Sequence, residues 1–171
     1  LTGRRHDQYK RMYLEATRGL VESLIFVDPA SGLTYVAELK NGRVERKMDH
    51  LVCFLPGVLA LGYASGLGAT WGGGDASRAR RAGEALERLG FSRDATHLDV
   101  ARDLARTCVQ MYALSPTRLA PEIAHFPDAN LASGRVGREK VHALGDDLLV
   151  KAKDAHHVLR PETAESLYVL W

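Results

Sequence analysis

The sequence predicts a mainly helical fold with one small β-hairpin, and three observations carry that prediction. Apolar residues recur at three-to-four spacing from Arg4 to about Val27, the period of an amphipathic helix. The pattern then switches to alternation over residues 33–39, the period of a strand. Residues 51–61 are next, apolar on almost every side, as a helix enclosed by other helices requires.

In the first helix, Tyr9, Tyr13, Ala16, Leu20 and Leu24 fall on one side, and Asp28-Pro29 ends it. Leu33, Tyr35, Ala37 and Leu39 alternate with Thr34, Val36 and Glu38; Asn41-Gly42 then accepts the positive φ of a tight turn, which places the hairpin in LTYVAELKNGRVERKM. Within the apolar helix that follows, Pro56-Gly57 predicts a kink or interruption. YASGLGATWGGGDAS has no period and reads as a flexible loop. A phosphate cradle would need GxxxxGKS or GxxxxGKT after a strand, and neither is present.

Asp75 predicts the N-cap of a helix running to about Leu89, with Gly90 at the left-handed position beyond it. Thr96 and Asp99 predict a capping box, and Leu98, Ala101, Leu104, Ala105, Cys108 and Met111 form the apolar stripe of the helix they start. Residues 115–158 hold no sustained period, with only 148–150 resembling a short strand. So long a connection is commonly functional. Pro161 suits the first turn of a last helix, with Leu167, Leu170 and Trp171 on one side and Glu162 and Glu165 on the other.

A chain of 171 residues suffices for one domain with a sizeable core. Lys plus Arg 23 against Asp plus Glu 21 leaves a formal charge of +2, and the basic residues are interspersed with acids, so nucleic acid is not indicated. No apolar run approaches the roughly 20 residues that span a bilayer, and no membrane contact is expected from this segment. The opening LTGRRHDQYK has neither an initiating Met nor a signal-type apolar core, and SLYVLW stops inside a helix-like pattern, so the expectation is an internal piece of a longer protein, incomplete at both ends. Cys53 and Cys108 show no CxxC spacing; free buried thiols and a single bridge both stay open on arithmetic alone.

Candidate chemistry concentrates in LRPETAES at 159–166. Glu162 and Glu165, three apart, share a helix face, and the free N–H groups of a helix N-terminus favour their ionised forms, as a general base requires. Acids in a first helical turn are also common stabilisers. Arg160 beside them supplies a fork of donors that orients carboxylates. His156 and His157 are adjacent and form no i, i+4 metal pair. His50 and His125 sit among apolar neighbours, where hydrogen-bonded core histidines are common. Asp154 and His156 lack a serine or cysteine in a nucleophile elbow, so acyl transfer is not indicated.

Three blocks, in this order, resemble the signature blocks of the class I α-1,2-mannosidases, glycoside hydrolase family 47: KMDHLVCFLPGVLALG at 47–62, LAPEIAHF at 119–126 and DAHHVLRPETAESLYVLW at 154–171. YLEATRGLVESLIF and LTYVAEL are also similar to the family, whereas residues 64–97 and 127–150 look longer or more divergent. The resemblance implies that residues 1–171 are a segment of an (α/α)7 barrel, part of a catalytic domain that removes terminal α-1,2-linked mannose from high-mannose N-glycans with inversion, using Ca²⁺. It further implies the secretory pathway, in the endoplasmic reticulum or Golgi, or secretion.

Residue by residue, Glu162 matches the family's proposed base, and Arg160, Glu165, Glu122 and His50 match residues that line the sugar and calcium pocket. Leu51 is placed to touch the sugar ring. Direct calcium ligation and the catalytic acid belong to parts of the family outside this segment, leaving water-mediated calcium contacts from Glu162, Glu165 and Glu122. The segment alone is therefore expected to be inactive. Matching cysteines in the family form a disulfide, which makes Cys53–Cys108 a bridge in an oxidising compartment. His157 stands where asparagine is usual, and HFPDAN replaces a shorter HFN. Non-catalytic relatives that hold high-mannose glycans in glycoprotein quality control share the fold and are the alternative; they typically lack the HLVCFLPG form.

Overall fold

The computed structural model describes residues 6–126, 135–136, 139–145 and 148–171. Its elements are α1 (Asp7–Ser23), β1 (Ile25–Val27), β2 (Thr34–Val36), β3 (Glu38–Lys40), β4 (Arg43–Glu45), β5 (Lys47–Asp49), a 3₁₀ helix His50–Phe54, α2 (Leu55–Ala64), α3 (Ala76–Arg88), α4 (His97–Ala113), β6 (Ile123–His125), β7 (Arg135–Val136), β8 (Glu139–Leu144), β9 (Leu148–Lys151), a 3₁₀ turn Ala152–Asp154 and α5 (Glu162–Leu170). Helical residues outnumber strand residues, and small antiparallel sheets accompany the helices. Among the described residues no helix is long and apolar enough to cross a membrane.

Helix α1 ends at Ser23, earlier than its apolar spacing predicts, because Ile25–Val27 pairs antiparallel with Thr34–Val36. The turn between these strands is held by Asp28, whose carboxylate accepts hydrogen bonds from the Ser31 backbone and hydroxyl at 3.0 and 2.9 Å. The single hairpin predicted over 33–48 is thereby divided. Thr34–Val36 pairs backwards, the Ala37 N–H donates to Leu24 O, and Glu38–Lys40 pairs forwards with Arg43–Glu45 around Asn41-Gly42 at φ 51° and 74°.

Pro56 marks an interruption rather than a kink, the stretch changing from 3₁₀ helix to α2 at Leu55. It falls in the first turn of α2, just after the 3₁₀ helix, where a missing N–H is harmless. The enclosure predicted for this stretch is partial, since Leu51, Phe54, Leu61 and Tyr63 are exposed. Asp75 caps α3 by accepting from Arg78 N–H, Gly90 follows at φ 82°, and Thr96 with Asp99 closes a full capping box on α4.

The aperiodic stretch 115–158 is not simply a loop. Its β6, β9, β8 and β7 join β5 in a five-stranded antiparallel sheet of order β5-β6-β9-β8-β7. Strand β6 has only three residues, too few to show a period, and the side chains of 127–140 lie outside the described residues.

Helix α4 serves two cores. Its Val100, Ala101 and Leu104 pack with Val21, Leu59 and Leu86 from the other helices, Ile25 of β1 and Trp71 of the loop before α3. Its Cys108 and Met111 pack with Tyr35, Met48, Ala124, Phe126 and Leu148 from the sheets. Tyr35 stacks on Phe126 with ring centroids 3.7 Å apart. Cys53 and Cys108 are bonded as a disulfide, Cα–Cα 5.8 Å, tying the 3₁₀ helix to α4 between the two cores.

Helix α5 departs from its predicted polarity. Its buried residues are Thr163 and Ser166, whereas Leu167, Tyr168 and Trp171 are exposed. Ser166 Oγ accepts from Gly57 N–H at 2.9 Å and donates to Cys53 O at 2.5 Å. A Cβ on Gly57 would lie 3.1 Å from Ser166 Oγ and 3.2 Å from its Cα, so the close approach depends on glycine there. Small polar residues bond the helix that carries LRPETAES to the segment that carries HLVCFLPG, and of that helix's leucines Leu170 packs, partly buried, against the core.

Candidate active site

Three chain segments converge on Glu122. Its N–H donates to Asp154 O and its carbonyl accepts from His50 N–H, at 2.9 and 2.8 Å, so its backbone joins the end of β5 to the 3₁₀ turn after β9. Side chains then complete the cluster. Arg160 Nε donates to Glu122 Oε2 at 2.6 Å, a part-buried charge-assisted bond. Arg160 is aimed by Leu159, which holds φ 54°, a left-handed conformation uncommon for a branched residue.

His50 is fully buried at the start of the 3₁₀ helix. Its Nε2 shares a hydrogen bond with Tyr112 Oη at 2.8 Å, and its Nδ1 lies 3.5 Å from Glu162 Oε2. Burial pushes the His50 imidazole below its ordinary value, opposed by the Glu162 and Glu122 carboxylates, so the ring is neutral near pH 7. Burial likewise raises the Tyr112 phenol, offset in part by the Thr163 hydroxyl beside it. Glu162 is the first residue of α5.

A cavity of 260 Å³ is bounded by Asp49, His50, Leu51, Glu122, Asp154 and Arg160, with Ile123 and His156 completing its wall. Of the residues singled out by sequence, His50, Glu122, Arg160 and Glu162 are brought into one cluster, and Leu51 stands exposed at the cavity. Glu165 is exposed and its side chain has no partner among the described residues. His156 and His157 turn to different partners, their Nδ1 atoms donating to Lys153 O and Ala120 O, both at 2.9 Å. His125 is buried in the sheet with Nε2 3.8 Å from Asp154 Oδ2.

Sequence reasoning missed Tyr112, Asp49 and Asp154 as neighbours of this cluster. Tyr112 lies next to Met111 on α4, outside the purely apolar stripe, and only its polar tip hints at a buried partner.

Two carboxylate oxygens here, Glu122 Oε1 and Glu162 Oε2, are buried without a protein hydrogen-bond partner. Hard anionic oxygens of this kind suit Ca²⁺ or the water bound to it. Among the described residues no group of three or more His, Cys, Asp or Glu is placed to hold a metal directly. The cluster therefore fits an outer-sphere contribution to a calcium site.

The sequence profile of glycosyl hydrolase family 47 matches residues 1–171. A mannosyl-oligosaccharide 1,2-α-mannosidase of Arabidopsis thaliana is 41% identical over 165 residues, covering 94% of this chain and 24% of that protein. The endoplasmic reticulum mannosyl-oligosaccharide 1,2-α-mannosidase of Homo sapiens is 38% identical over 169 residues, covering 99% and 19%. Its counterpart in Saccharomyces cerevisiae is 34% identical over 166 residues, covering 95% and 28%. The chain thus spans 19% to 28% of the length of these relatives.

Proposed function

The chain belongs to glycosyl hydrolase family 47, and on that premise we propose that it is part of the catalytic domain of an inverting exo-α-1,2-mannosidase acting on high-mannose N-glycans. The single observation that carries this reading is the buried pairing of His50 with Glu162 beside the Arg160–Glu122 pair.

Inversion requires a carboxylate base that activates water on one face of the sugar and a carboxylic acid about 6.5 to 9.5 Å away that protonates the leaving oxygen. Glu162 is the base. Its Oε2 lies 3.5 Å from His50 Nδ1, which orients the carboxylate. Arg160 holds Glu122 in a single orientation, so the orphan Oε1 presents a fixed acceptor to sugar hydroxyls or bound water. Leu51 offers an apolar face to the sugar ring. Glu165 reaches the substrate from the exposed edge of the same helix. A bound Ca²⁺ would supply a fixed positive charge that orders oxygen ligands, reached through water by Glu162, Glu165 and Glu122. The acid and the direct calcium ligand are contributed by other parts of an (α/α)7 barrel, so this segment alone does not turn over substrate. The disulfide is in keeping with maturation in the secretory pathway.

The test is Glu162→Gln in the full-length protein, an isosteric change that removes the charge. Mannose release from an α-1,2-linked oligosaccharide should fall by roughly 10²- to 10⁴-fold, with glycan binding retained. Near-normal kcat would sink the assignment. A wild-type protein that holds the glycan and releases no mannose would instead identify the non-catalytic, glycan-binding relative.

A further inference from the structure

Tyr112 reaches the candidate site from α4, an element that contributes none of the residues assigned above. Its Oη lies 2.8 Å from His50 Nε2, while the other ring nitrogen of His50 lies 3.5 Å from Glu162 Oε2. A neutral imidazole has one N–H and one lone pair, and which nitrogen carries the proton is set by its partners. If Nε2 held the proton and donated to Tyr112, the Nδ1 lone pair would face a buried carboxylate oxygen, two acceptors with nothing between them. If the Tyr112 hydroxyl donates to Nε2, the proton sits on Nδ1 and points at Glu162 Oε2. Only the second arrangement turns a proton, rather than a lone pair, towards that oxygen, which has no hydrogen-bond partner of its own.

The ring is also held mechanically. His50, Tyr112 and His157 meet edge to face, with centroids 5.5 to 5.8 Å apart and interplanar angles of 74° to 79°. His157 is itself anchored by its bond to Ala120 O. The imidazole therefore has little freedom to flip and exchange its two nitrogens.

We propose that Tyr112 is a positioning residue for Glu162: by donating to His50 Nε2, it keeps the His50 ring proton on Nδ1, directed at the Glu162 carboxylate. Through this relay the His50 ring orients the Glu162 carboxylate from the side of Oε2. The inference rests on the reading of Glu162 as the base.

Tyr112→Phe in the full-length enzyme keeps the ring and removes only the hydroxyl. Its kcat on an α-1,2-linked mannobiose should fall about tenfold, with KM within about twofold. Because Tyr112 acts through His50, the same change should cost nothing further in a His50→Gln background. An unchanged kcat, or the same loss in both backgrounds, overturns the proposal. A measurement that needs no folded variant is ¹⁵N NMR of ring-labelled histidine in the wild-type enzyme: the Nδ1–H tautomer at His50 supports the relay and the Nε2–H tautomer refutes it. Activity retained in Glu162→Gln would remove the base itself. Glu162→Gln inactive with Tyr112→Phe normal would remove this inference alone.

Discussion

Ser166→Ala should loosen the joint between the two segments that meet at the candidate site. The start of α2 has few ways to satisfy its N–H groups: Phe54 offers no side-chain cap, Leu55 N–H donates to Val52 O, and Pro56 has none. Gly57 N–H is bonded by Ser166 Oγ, from a residue 109 positions away. Removing that oxygen strands a buried donor and takes one partner from Cys53 O. At about 1 to 3 kcal/mol for a buried unsatisfied group, less for a carbonyl with a second lone pair, the loss is about 2 to 4 kcal/mol. That exceeds the roughly 1 kcal/mol typical of a lost N-cap, because the site is buried. Amide hydrogen exchange in the full-length protein is the assay. The α2 amides should exchange roughly 30-fold faster or more in Ser166→Ala, and those of α3, capped by its own Asp75, should not change. A change under threefold in α2 would refute the reasoning. Gly57→Ala should disturb the same joint, since its Cβ meets the Ser166 backbone.

Burial holds the His97 imidazole down at about 4, between Tyr13 Oη at 2.8 Å and the Trp71 ring. Because the folded value lies below the unfolded 6.5, the unfolded chain takes up the proton first. The contribution is fully present above about pH 6.5 and is lost as pH falls towards 4, reaching about 2 kcal/mol lost by pH 5. His97→Gln should flatten that part of the stability–pH curve, and an unaltered slope between pH 6.5 and 5 would count against it. Reducing Cys53–Cys108 frees a loop of 55 residues, which costs about 4 kcal/mol on a chain-entropy estimate. Thiol titration should find neither cysteine before reduction, with the thermal midpoint dropping after it; a midpoint unmoved by reduction would show that the bridge restrains little.

The legible parts of this fold are those whose causes are local. The caps at Asp75, at Thr96 with Asp99 and at Gly90 involve neighbours a few residues apart, and each is where its chemistry predicts. The short strand read at 148–150 is there as β9, whereas β6 was hidden because its pairing is remote: Lys47 faces His125, and His125 faces Leu149. In α5 the apolar period pointed to the wrong face, because Thr163 and Ser166 are buried by hydrogen bonding and close approach rather than by hydrophobicity. The candidate site divides in the same way. Spacing alone left Glu162 and Glu165 equivalent, and family resemblance named both. The fold separates them, with Glu162 against His50 and Glu165 exposed. Tyr112 carried only the weak signal of its polar tip, since a tyrosine beside an apolar stripe ordinarily marks an edge of the core.

The cap that Ser166 places on α2 also sets an order of events during synthesis. The ribosome delivers His50, Cys53 and Gly57 long before α5 exists, and Cys108 follows while Glu162 is still unmade. The bridge across 55 residues is available first, and the hydrogen bonds across 109 and 113 residues come later. Until the last helix emerges, the Gly57 N–H lacks the oxygen that bonds it in the folded chain. The Glu162 carboxylate is thus among the last of these residues to arrive, on the helix whose docking completes the N-terminus of α2.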